Sequence, residues 1–600
     1  MVTDLPWDDR TDFEDADRGR IDGLDPCVIR NSDGAVVWNN DAFAFLNGEC
    51  PDTANPSLWR QSQLCAKQGL YEVTDGIYQV RGLDLSNMTL VESDNGVIVI
   101  DPLIFTETAA AGLALYRRNR GDRPVTAVIY THSHIDHFGG VEGVVTEPVP
   151  ILAPVGFLEH AVAENVYAGT AMLRRGNYHA GQSLEPGPRG LIGTGLGQTG
   201  SYGTVTLLPP TIDITHTGQQ EILDGVRIVF QSTPDTEAPS EMNFSFPDHR
   251  ALCLAENATH NLHNILTLRG AVVRDARMWS RYLHEAIDRF TANTDVAFAS
   301  HHWPTWGRDR IRTFLGQQRD LYAYLHDQTL RLLNQGLTGT EIAEAMTLPP
   351  ALEKAWHTRG YYGSVFHNVK AIYQRYLGWF DGNPAHLWEL PPVEAATRYV
   401  ECMGGPDAVL RKAREYASQG DLRFAAELLN HAVFADPSSI PARTALAEVY
   451  EQLGFGAENG TWRNFYLTGA QELRHGVSAS AQAISPTGMV RALTIEQIFD
   501  SLAIRVNGPK AWSVALSIDW DFVDEKTTYR TMLSNGVLVH WPDPGPGDVD
   551  LTVTLNRQQL LGLLTGQGLV GVQTAGDPGA FQRLIGLLEQ PDPGFAIVTP

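Results

Sequence analysis

The amino-acid sequence predicts a layered α/β domain, followed by an all-α region and then by a small α+β domain. Three observations support this order. Between residues 70 and 306, short β-rich segments alternate with helical ones; apolar residues then recur with helical spacing; and a two-residue alternation of apolar residues appears near the end of the chain. With 600 residues, the chain is long enough to form several hydrophobic cores.

Residues 1–69 contain many turn-forming residues and show weak periodicity, so we expect an N-terminal arm with a helix near residues 57–68. The α/β domain is predicted over residues 70–317. Its strands are expected in the segments YEVTDGIYQVRG, NMTLVESDNGVIVIDP, PVTAVIYTHSH, VRIVFQSTP, RALCLAE and DVAFASHHW. Alternation of such strands with helical segments indicates stacked layers of sheet and helix.

The helical region is predicted over residues 318–480, where long stretches have a 3.6-residue period. Its later apolar stripes are broken at Gly420 and Pro437, which indicates helical hairpins. The pattern fits both a tetratricopeptide-type array and a plain helical bundle, since one or two units do not establish a repeat.

The last domain is predicted over residues 490–600. Residues 512–522 are apolar at every second position, residues 549–555 repeat this period, and Asn535-Gly536 indicates a hairpin turn between them. Helices are expected in RQQLLGLLTG and FQRLIGLL. Together these elements make a small α+β domain.

Composition restricts the partners and the kind of metal site. The formal net charge of -25, with no long basic run, disfavours nucleic acid and anionic membranes as partners. The five cysteines include no CxxC pair, so any metal is expected to be bound by nitrogen and oxygen. The acidic N-terminus lacks the order of a signal peptide, and no apolar stretch is long enough to cross a bilayer. We therefore expect a cytoplasmic protein, with a secreted or periplasmic location as the alternative if a leader precedes this sequence.

The strongest chemical signal is the segment THSHIDHFGG, residues 131–140, which follows the apolar strand VTAVIY. A loop at a strand end can present His132 and His134 to one metal ion, and Asp136 and His137 to a second. Zinc favours nitrogen and oxygen ligands, and a catalytic zinc site keeps one position open for water. The two glycines that close the segment are expected to permit a tight turn.

The HxHxDH spacing after a strand resembles the metallo-β-lactamase superfamily. Later strand ends in the common pattern of that superfamily supply a histidine and a bridging aspartate, whereas here Glu237, in STPDTEAPSEM, and Glu256, after ALCLA, stand near those places. The segments THSHIDHFGG, TEAPSEM, ENATHNLHNILTLRG and SHHWPTWG together resemble the alkylsulfatase branch. The resemblance continues through HDQTLRL, RGYYG and GWFDGNPAHLWELPP, and it covers most of the chain from about residue 70 onward.

This resemblance implies a metallo-β-lactamase αββα sandwich, a helical dimerisation domain and a C-terminal domain similar to sterol carrier protein. It also implies a homodimeric enzyme with two zinc ions that hydrolyses alkyl sulfate esters, such as dodecyl sulfate, to an alcohol and inorganic sulfate. Carried over residue by residue, the ligands would be His132, His134 and Glu237 for one zinc, Asp136, His137 and His301 for the other, and Glu256 as the bridge.

Two further positions lie next to predicted ligands or strand ends. His301 is preferred over His302 as a ligand because neighbouring strand residues point to opposite faces, and the spacing from Glu256 fits the family pattern. Asp101, which follows the strand VIVI, is expected to orient a ligand by a hydrogen bond.

A sulfate monoester is an anion and needs directional donors in a protein this acidic. In the family that the sequence resembles, the positions of Arg269 and Asn264 contact the sulfate, and Arg269 offers a planar guanidinium fork. Tyr202, in a glycine-rich loop, is a further candidate donor. We expect a metal-activated hydroxide to attack either the sulfur or, with inversion and suited to secondary sulfates, the ester carbon. Two other hypotheses stay open: a thioester, lactone or phosphodiester hydrolase of the same fold, and a lipid-binding or scaffolding protein.

Overall fold

A computed structural model describes residues 5–199, 203–478, 488–564 and 571–600 of the protein. The chain divides into two compact units. The first comprises residues 1–161, 172–484 and 594–600, and the second comprises residues 162–171 and 485–593.

The strands of the first unit form two large sheets. In chain order they are β1 (Arg20–Asp22), β2 (Val28–Arg30), β3 (Val36–Asn39), β4 (Gly69–Thr74), β5 (Ile77–Arg81), β6 (Met88–Glu92), β7 (Val97–Ile100), β8 (Val125–Ile129), β9 (Ile151–Pro154), β10 (Ile212–Ile214), β11 (Gln220–Leu223), β12 (Val226–Ser232), β13 (Met242–Phe246), β14 (Ala251–Cys253), β15 (Val296–Phe298) and β16 (Thr305–Trp306). One sheet has the order β1-β4-β5-β6-β7-β8-β9-β10 and the other β11-β12-β13-β14-β15-β16, while β2 pairs with β3.

Strand direction agrees with the sequence patterns. β7 to β10 are parallel neighbours, and β7 is buried along its whole length, as expected of a strand covered on both faces. β1 lies within the residues predicted as an N-terminal arm, yet it pairs with β4 at the edge of the first sheet. Its three residues are too few to show a periodicity, which explains why the sequence pattern did not indicate a strand there.

The helices as far as residue 475 are α1 (Thr11–Asp17), α2 (Pro56–Cys65), α3 (Thr106–Arg120), α4 (Phe157–Val162), α5 (Gly169–Ala180), α6 (Ala276–Phe290), α7 (Arg308–Leu333), α8 (Gly339–Ala345), α9 (Pro350–Lys354), α10 (Val365–Leu377), α11 (Pro392–Cys402), α12 (Pro406–Ser418), α13 (Leu422–Ala435), α14 (Ile440–Gly456) and α15 (Gly460–His475). The predicted helix near residues 57–68 corresponds to α2. The helical spacing of apolar residues that begins after residue 306 corresponds first to α7.

The two sheets enclose the main core of the first unit. Ile98 and Ile129 from one sheet, and Phe230, Phe244 and Phe298 from the other, are each at most 2% exposed and belong to one apolar cluster. Burial of each such side chain contributes roughly 1.5–3 kcal/mol. This shared core fixes the sheets face to face.

Helices cover the outer faces of both sheets. Gly112 of α3 lies against Met88 and Val80 of the first sheet. On the second sheet, α6 and α7 share an apolar cluster with Leu252 and Ala297, whose sequence neighbours point into the core between the sheets. The result is the α-β-β-α sandwich that the family resemblance implied.

The later helices form a core of their own. Buried residues of α11 to α15 make one apolar cluster. Gly420 has φ of 86° just after α12, and the side chains of Asp421 and Ser439 accept hydrogen bonds from the first turns of α13 and α14. The predicted breaks at Gly420 and Pro437 therefore separate three real helices.

The second unit is a small α+β structure. Its elements are α16 (Ile495–Arg505), α17 (Gly508–Ala511), β17 (Leu516–Phe522), β18 (Thr527–Ser534), β19 (Val537–Pro542), β20 (Leu551–Leu555), α18 (Arg557–Gly562), β21 (Gln573–Gly576) and α19 (Gly579–Gly586). The strand order is β19-β18-β17-β20-β21.

The predicted hairpin in this unit is confirmed, whereas one predicted strand start is wrong. Asn535 and Gly536 have φ of 52° and 76°, as a type I′ turn requires, and they join β18 to β19. The strand expected from residue 512 begins at Leu516, because Asn507 caps the short helix α17 directly before it. Among the described residues, no helix is both long and apolar enough to cross a membrane.

Candidate metal centre

The loop after β8 presents the HxHxDH residues toward the second sheet. His132 makes an isolated antiparallel bridge with Glu241, just before β13, and a short 3-10 turn spans Ile135–His137. The two glycines that follow matter for a different reason than the predicted turn, since Gly140 has an ordinary φ of -88°. A Cβ on Gly139 would lie 2.3 Å from the carbonyl oxygen of Ile104, so only glycine lets these backbones approach.

Seven side chains from four strand ends converge in two groups. His132, His134, Glu237 and Glu256 form the first group, and Asp136, His137, Glu256 and His301 form the second; within each, the candidate ligand atoms all lie within 4.8 Å of one another. Glu256 belongs to both groups, because its Oε2 is 3.4 Å from His132 Nε2 and 3.3 Å from His137 Nε2. The structure thus brings together all seven predicted ligands.

The donor atoms suit a pair of divalent cations. Within the described residues, Nε2 of His132, His137 and His301 and Oε2 of Glu237 are buried yet make no hydrogen bond, although facing nitrogen and oxygen atoms lie only 2.7 to 3.4 Å away. Buried polar atoms without partners are costly unless a ligand satisfies them. Imidazole nitrogen and carboxylate oxygen are donors that zinc accepts, and the residues therefore fit such ions.

Charges inside the cluster shift its pKa values strongly. Burial and the neighbouring His137 lower the pKa of His132, but the carboxylates of Glu237 and Glu256 together raise it to about 10. Burial also lowers the pKa of His301, whereas Glu256 and Asp136 raise it to about 9. Conversely, burial raises the pKa of Glu256, yet His301 and the other imidazoles hold it well below its usual range. The cluster therefore retains protons that a bound cation would displace.

Asp101 supports one histidine from each group. Its Oδ2 lies 2.9 Å from His137 Nδ1, and it accepts a hydrogen bond of 2.7 Å from the hydroxyl of Thr131. That hydroxyl in turn lies 2.9 Å from His132 Nδ1. A carboxylate that binds Nδ1–H leaves Nε2 of the ring for a metal, so Asp101 occupies the orienting position expected from the sequence.

Three residues beside the cluster have left-handed backbone conformations. Asp101, Ala255 and His302 have φ of 52°, 48° and 64°, and each follows the end of a strand. Such φ values are uncommon outside glycine. The turn at His302 directs its side chain away from the cluster, where Nδ1 accepts a hydrogen bond of 2.9 Å from the backbone of His260. His301 alone of this pair enters a ligand group.

Family models cover nearly the whole chain from residue 81 onward. The metallo-beta-lactamase superfamily model matches residues 81–301, the alkyl sulfatase dimerisation model matches residues 338–476, and the alkyl sulfatase C-terminal model matches residues 483–600. A linear primary-alkylsulfatase of Pseudomonas sp is 49% identical over 100% of this chain and 91% of the relative. The chain belongs to the alkylsulfatase family.

Two further relatives agree with this assignment. An (R)-specific secondary-alkylsulfatase of Pseudomonas sp is 45% identical, over 100% of this chain and 93% of the relative. The solved structure of a stereoselective inverting sec-alkylsulfatase of Pseudomonas sp. has a TM-score of 0.96 at 44% identity, and the match covers 100% of this chain and 97% of that one. The family and the fold class predicted from the sequence are both confirmed.

Two of the three residues predicted to contact sulfate differ in burial and in hydrogen bonding in this alkylsulfatase. Asn264 is 1% exposed, and within the described residues its Nδ2 is buried with no hydrogen-bond partner, as expected of a donor that awaits an anion. Arg269 is partly buried and its Nη1 donates to the backbone oxygen of Gly270 at 3.0 Å. Tyr202 lies outside the described residues.

Sequence reasoning missed three buried residues that support the ligands. Arg274 Nη2 lies 2.6 Å from Glu237 Oε1, and His263 Nε2 lies 2.8 Å from Glu256 Oε1. Glu241 accepts hydrogen bonds from the backbone nitrogens of Ala238 and Glu256, and burial raises its pKa to about 7. His263 and Glu241 lie inside segments already noted, HNLHN and TEAPSEM, so a search for polar residues flanking ligands would have found them. No such signal surrounds Arg274.

Proposed function

We propose that the chain hydrolyses alkyl sulfate esters, such as dodecyl sulfate, to an alcohol and inorganic sulfate with the help of two zinc ions. The observation that carries this proposal is the convergence of two ligand groups on one carboxylate, Glu256. Full-length similarity to enzymes named primary and secondary alkylsulfatases supports the choice of substrate.

The proposed ligands divide as the two groups do. His132, His134 and Glu237 would hold one ion, Asp136, His137 and His301 the other, and Glu256 would contribute to both. Two such ions, when bound, lower the pKa of a water molecule and attract the negative charge of the sulfate. The absence of cysteine from both groups favours zinc or another ion that accepts nitrogen and oxygen.

The protein's own residues bind and orient the ester. Asn264 Nδ2 is buried and has no hydrogen-bond partner in the described part of the chain, so it would be available to a sulfate oxygen. Arg269 would supply the guanidinium that matches two sulfate oxygens at once. In a chain with a net charge of -25, these local donors provide the attraction that the overall charge opposes.

Release of sulfate from dodecyl sulfate tests this proposal directly. We expect turnover that a chelator abolishes and that added zinc restores, with elemental analysis showing two metal equivalents per chain. Arg269→Ala should lose sulfate release while keeping its metal, whereas the matched change Arg281→Ala, at an exposed position on α6, should behave as wild type. Absence of a bound transition metal, or chelator-resistant turnover, would contradict the proposal.

The bond that breaks follows from an isotope experiment. Attack at sulfur places oxygen from labelled water in the sulfate, whereas attack at carbon places it in the alcohol and inverts that carbon. The similarity to an inverting sec-alkylsulfatase, at a TM-score of 0.96, makes inversion at carbon a specific second candidate. A chiral secondary alkyl sulfate in labelled water therefore separates the two reactions.

We also propose that the chain forms a homodimer through its helical region. The segment 376–393 exposes large apolar side chains, among them Trp388, which is 95% exposed, Trp379 (76%) and Leu387 (62%). Exposed apolar patches of this kind mark association surfaces, and the segment lies inside the match to the dimerisation model. Light scattering that gives the mass of one chain at micromolar concentration would refute this proposal.

A further inference from the structure

Arg274 occupies the position between the proposed metal ligands and the proposed sulfate donor. It is 4% exposed, and its backbone nitrogen donates to Ile265 at 3.0 Å, which fixes the start of the side chain. Its Nη2 contacts Glu237 Oε1 at 2.6 Å. Its Nη1 donates to the side-chain oxygen of Asn264 and, at 2.7 Å, to the backbone oxygen of the same residue.

Arg274 contacts one polar atom of the Glu237 carboxylate and one of the Asn264 amide, and the second atom of each group is the one proposed to bind the cation or the sulfate. On Glu237 it engages Oε1, while the buried Oε2 faces the first ligand group, 2.7 Å from His134 Nδ1 and 3.1 Å from His132 Nε2. On Asn264 it engages Oδ1, together with the hydroxyl of Thr267, while Nδ2 stays buried without a partner in the described residues. Because a guanidinium can only donate, it binds the oxygen of the Asn264 amide and leaves the NH2 group on the other side, and on Glu237 it occupies one of the two carboxylate oxygens.

Arg274 also reaches the shared ligand through a histidine. His263 Nε2 lies 2.8 Å from Glu256 Oε1, and a carboxylate can only accept, so His263 carries its proton on Nε2. In the neutral imidazole, His263 Nδ1 is then an acceptor, and Arg274 Nη1, which can only donate, lies 3.1 Å from it. One guanidinium thus orients Glu237 and Asn264 directly and Glu256 through His263.

We propose that Arg274 is a positioning residue that couples the metal ligands to sulfate recognition, by holding Glu237 Oε2 toward a cation and Asn264 Nδ2 toward a sulfate oxygen. This inference rests on the proposed function. A lysine has a single donor group and cannot make the planar set of contacts to Glu237, Asn264 and His263 together. Substitution by lysine should therefore release both the carboxylate and the amide, even though the positive charge is kept.

A double-mutant cycle tests the coupling. We expect Arg274→Lys and Asn264→Ala each to raise the KM for dodecyl sulfate about tenfold or more, as loss of a charge-assisted hydrogen bond does, and the double variant to be no worse than either alone. Arg274→Lys should also lose zinc to a competing chelator more readily than wild type. Arg281→Lys, exposed on α6, is the matched control and should change neither quantity. Multiplicative effects on KM, or unchanged zinc retention, would overturn the proposal.

A second variant keeps the test decisive if Arg274→Lys does not fold. Asn264→Asp presents the same oxygen to Arg274 but replaces the free donor by an acceptor. Titration with inorganic sulfate, followed by calorimetry, should show at least a tenfold loss of affinity with unchanged zinc content, and wild-type affinity would overturn the proposal. Zinc retention and sulfate binding are measured without turnover, so they test the role of Arg274. The sulfate-release assay on wild type tests the proposed sulfatase activity, and the two proposals can therefore fail independently.

Discussion

Replacement of Asp101 by asparagine tests whether one buried carboxylate controls both ligand groups. Asp101 is 1% exposed and accepts hydrogen bonds from the backbone nitrogen of Thr131 (2.8 Å), the hydroxyl of Thr131 (2.7 Å) and the hydroxyl of Ser300 (2.8 Å), in addition to His137 Nδ1 (2.9 Å). The single hydroxyl hydrogen of Thr131 goes to Asp101, so His132 Nδ1 must donate to that hydroxyl oxygen. Both histidines therefore carry their proton on Nδ1 and keep Nε2 for a metal.

Asparagine has the same shape, but one of its two acceptors becomes a donor. In either orientation of the amide, at least one buried N–H or O–H loses its acceptor, which costs about 1–3 kcal/mol. A histidine without that acceptor can hold its proton on Nε2, where the proton blocks the metal. Loss of such a supporting bond lowers metal affinity about 10- to 100-fold, which corresponds to about 1.4–2.7 kcal/mol.

The assay is competition for zinc between the protein and a chromogenic chelator at neutral pH. We expect Asp101→Asn to weaken the binding of both zinc equivalents, because His132 and His137 belong to different groups. Asp122→Asn, with a side chain that is 91% exposed, is the control and should bind zinc as wild type does. Wild-type affinity for both equivalents in Asp101→Asn would refute the reasoning about ring protonation.

Three other predictions concern packing, pH and assembly. A Cβ on Gly363 would lie 2.3 Å from the backbone oxygen of His263, so Gly363→Ala should displace the 262–264 segment and lower kcat/KM by about tenfold or more. Gly316→Ala is the control, because a Cβ on Gly316 would meet open space. Equal kcat/KM values for the two variants would contradict this prediction. Burial lowers the pKa of His367 to about 3, and its Nδ1 accepts a hydrogen bond of 2.9 Å from Trp462 Nε1. Because the unfolded chain takes up a proton at this histidine near pH 6.5 and the folded chain does not, the free energy of unfolding falls as the pH drops from 6.5 toward 3. Urea titrations should show that the free energy of unfolding decreases between pH 6.5 and 5.0 by about 2 kcal/mol less in His367→Gln than in wild type. Equal decreases in the two proteins would show that His367 is not the group that is protonated on unfolding. Trp388→Ser should shift sedimentation toward the single-chain mass, whereas Trp512→Ser, 70% exposed in the other unit, should not; an unshifted Trp388→Ser would exclude this segment from the interface.

Local patterns in the sequence predicted the parts of the site that depend on neighbouring residues. His132, His134, Asp136 and His137 lie in one loop, so their spacing alone indicated a metal site. Glu237, Glu256 and His301 are carried by three different strand ends, and only the resemblance to a family joined them to that loop. Their convergence depends on the pairing of β12 to β15 and on the face-to-face packing of the sheets, which no local pattern encodes.

The contacts by which Arg274 and its neighbours support the ligands were the hardest to predict, because they too depend on tertiary packing. Arg274 is 37 residues from Glu237, and its significance lies in which oxygen of Glu237 it contacts. Periodicity reports the face on which a residue lies and does not report the orientation of a carboxylate or an amide. The same limit applies to β1 and to the start of β17, where short segments follow their neighbours in space rather than an alternating pattern.

The left-handed residues at the strand ends have a consequence for how this protein loses activity on heating. Asp101, Ala255 and His302 are held in conformations that an isolated loop would abandon, at a cost of about 1–3 kcal/mol each. The packed pair of sheets holds these backbone conformations, so a loop that has left them does not return to them while the sheets are unpacked. Thermal inactivation should therefore coincide with melting of the sandwich, and a partly melted intermediate that still works is not expected.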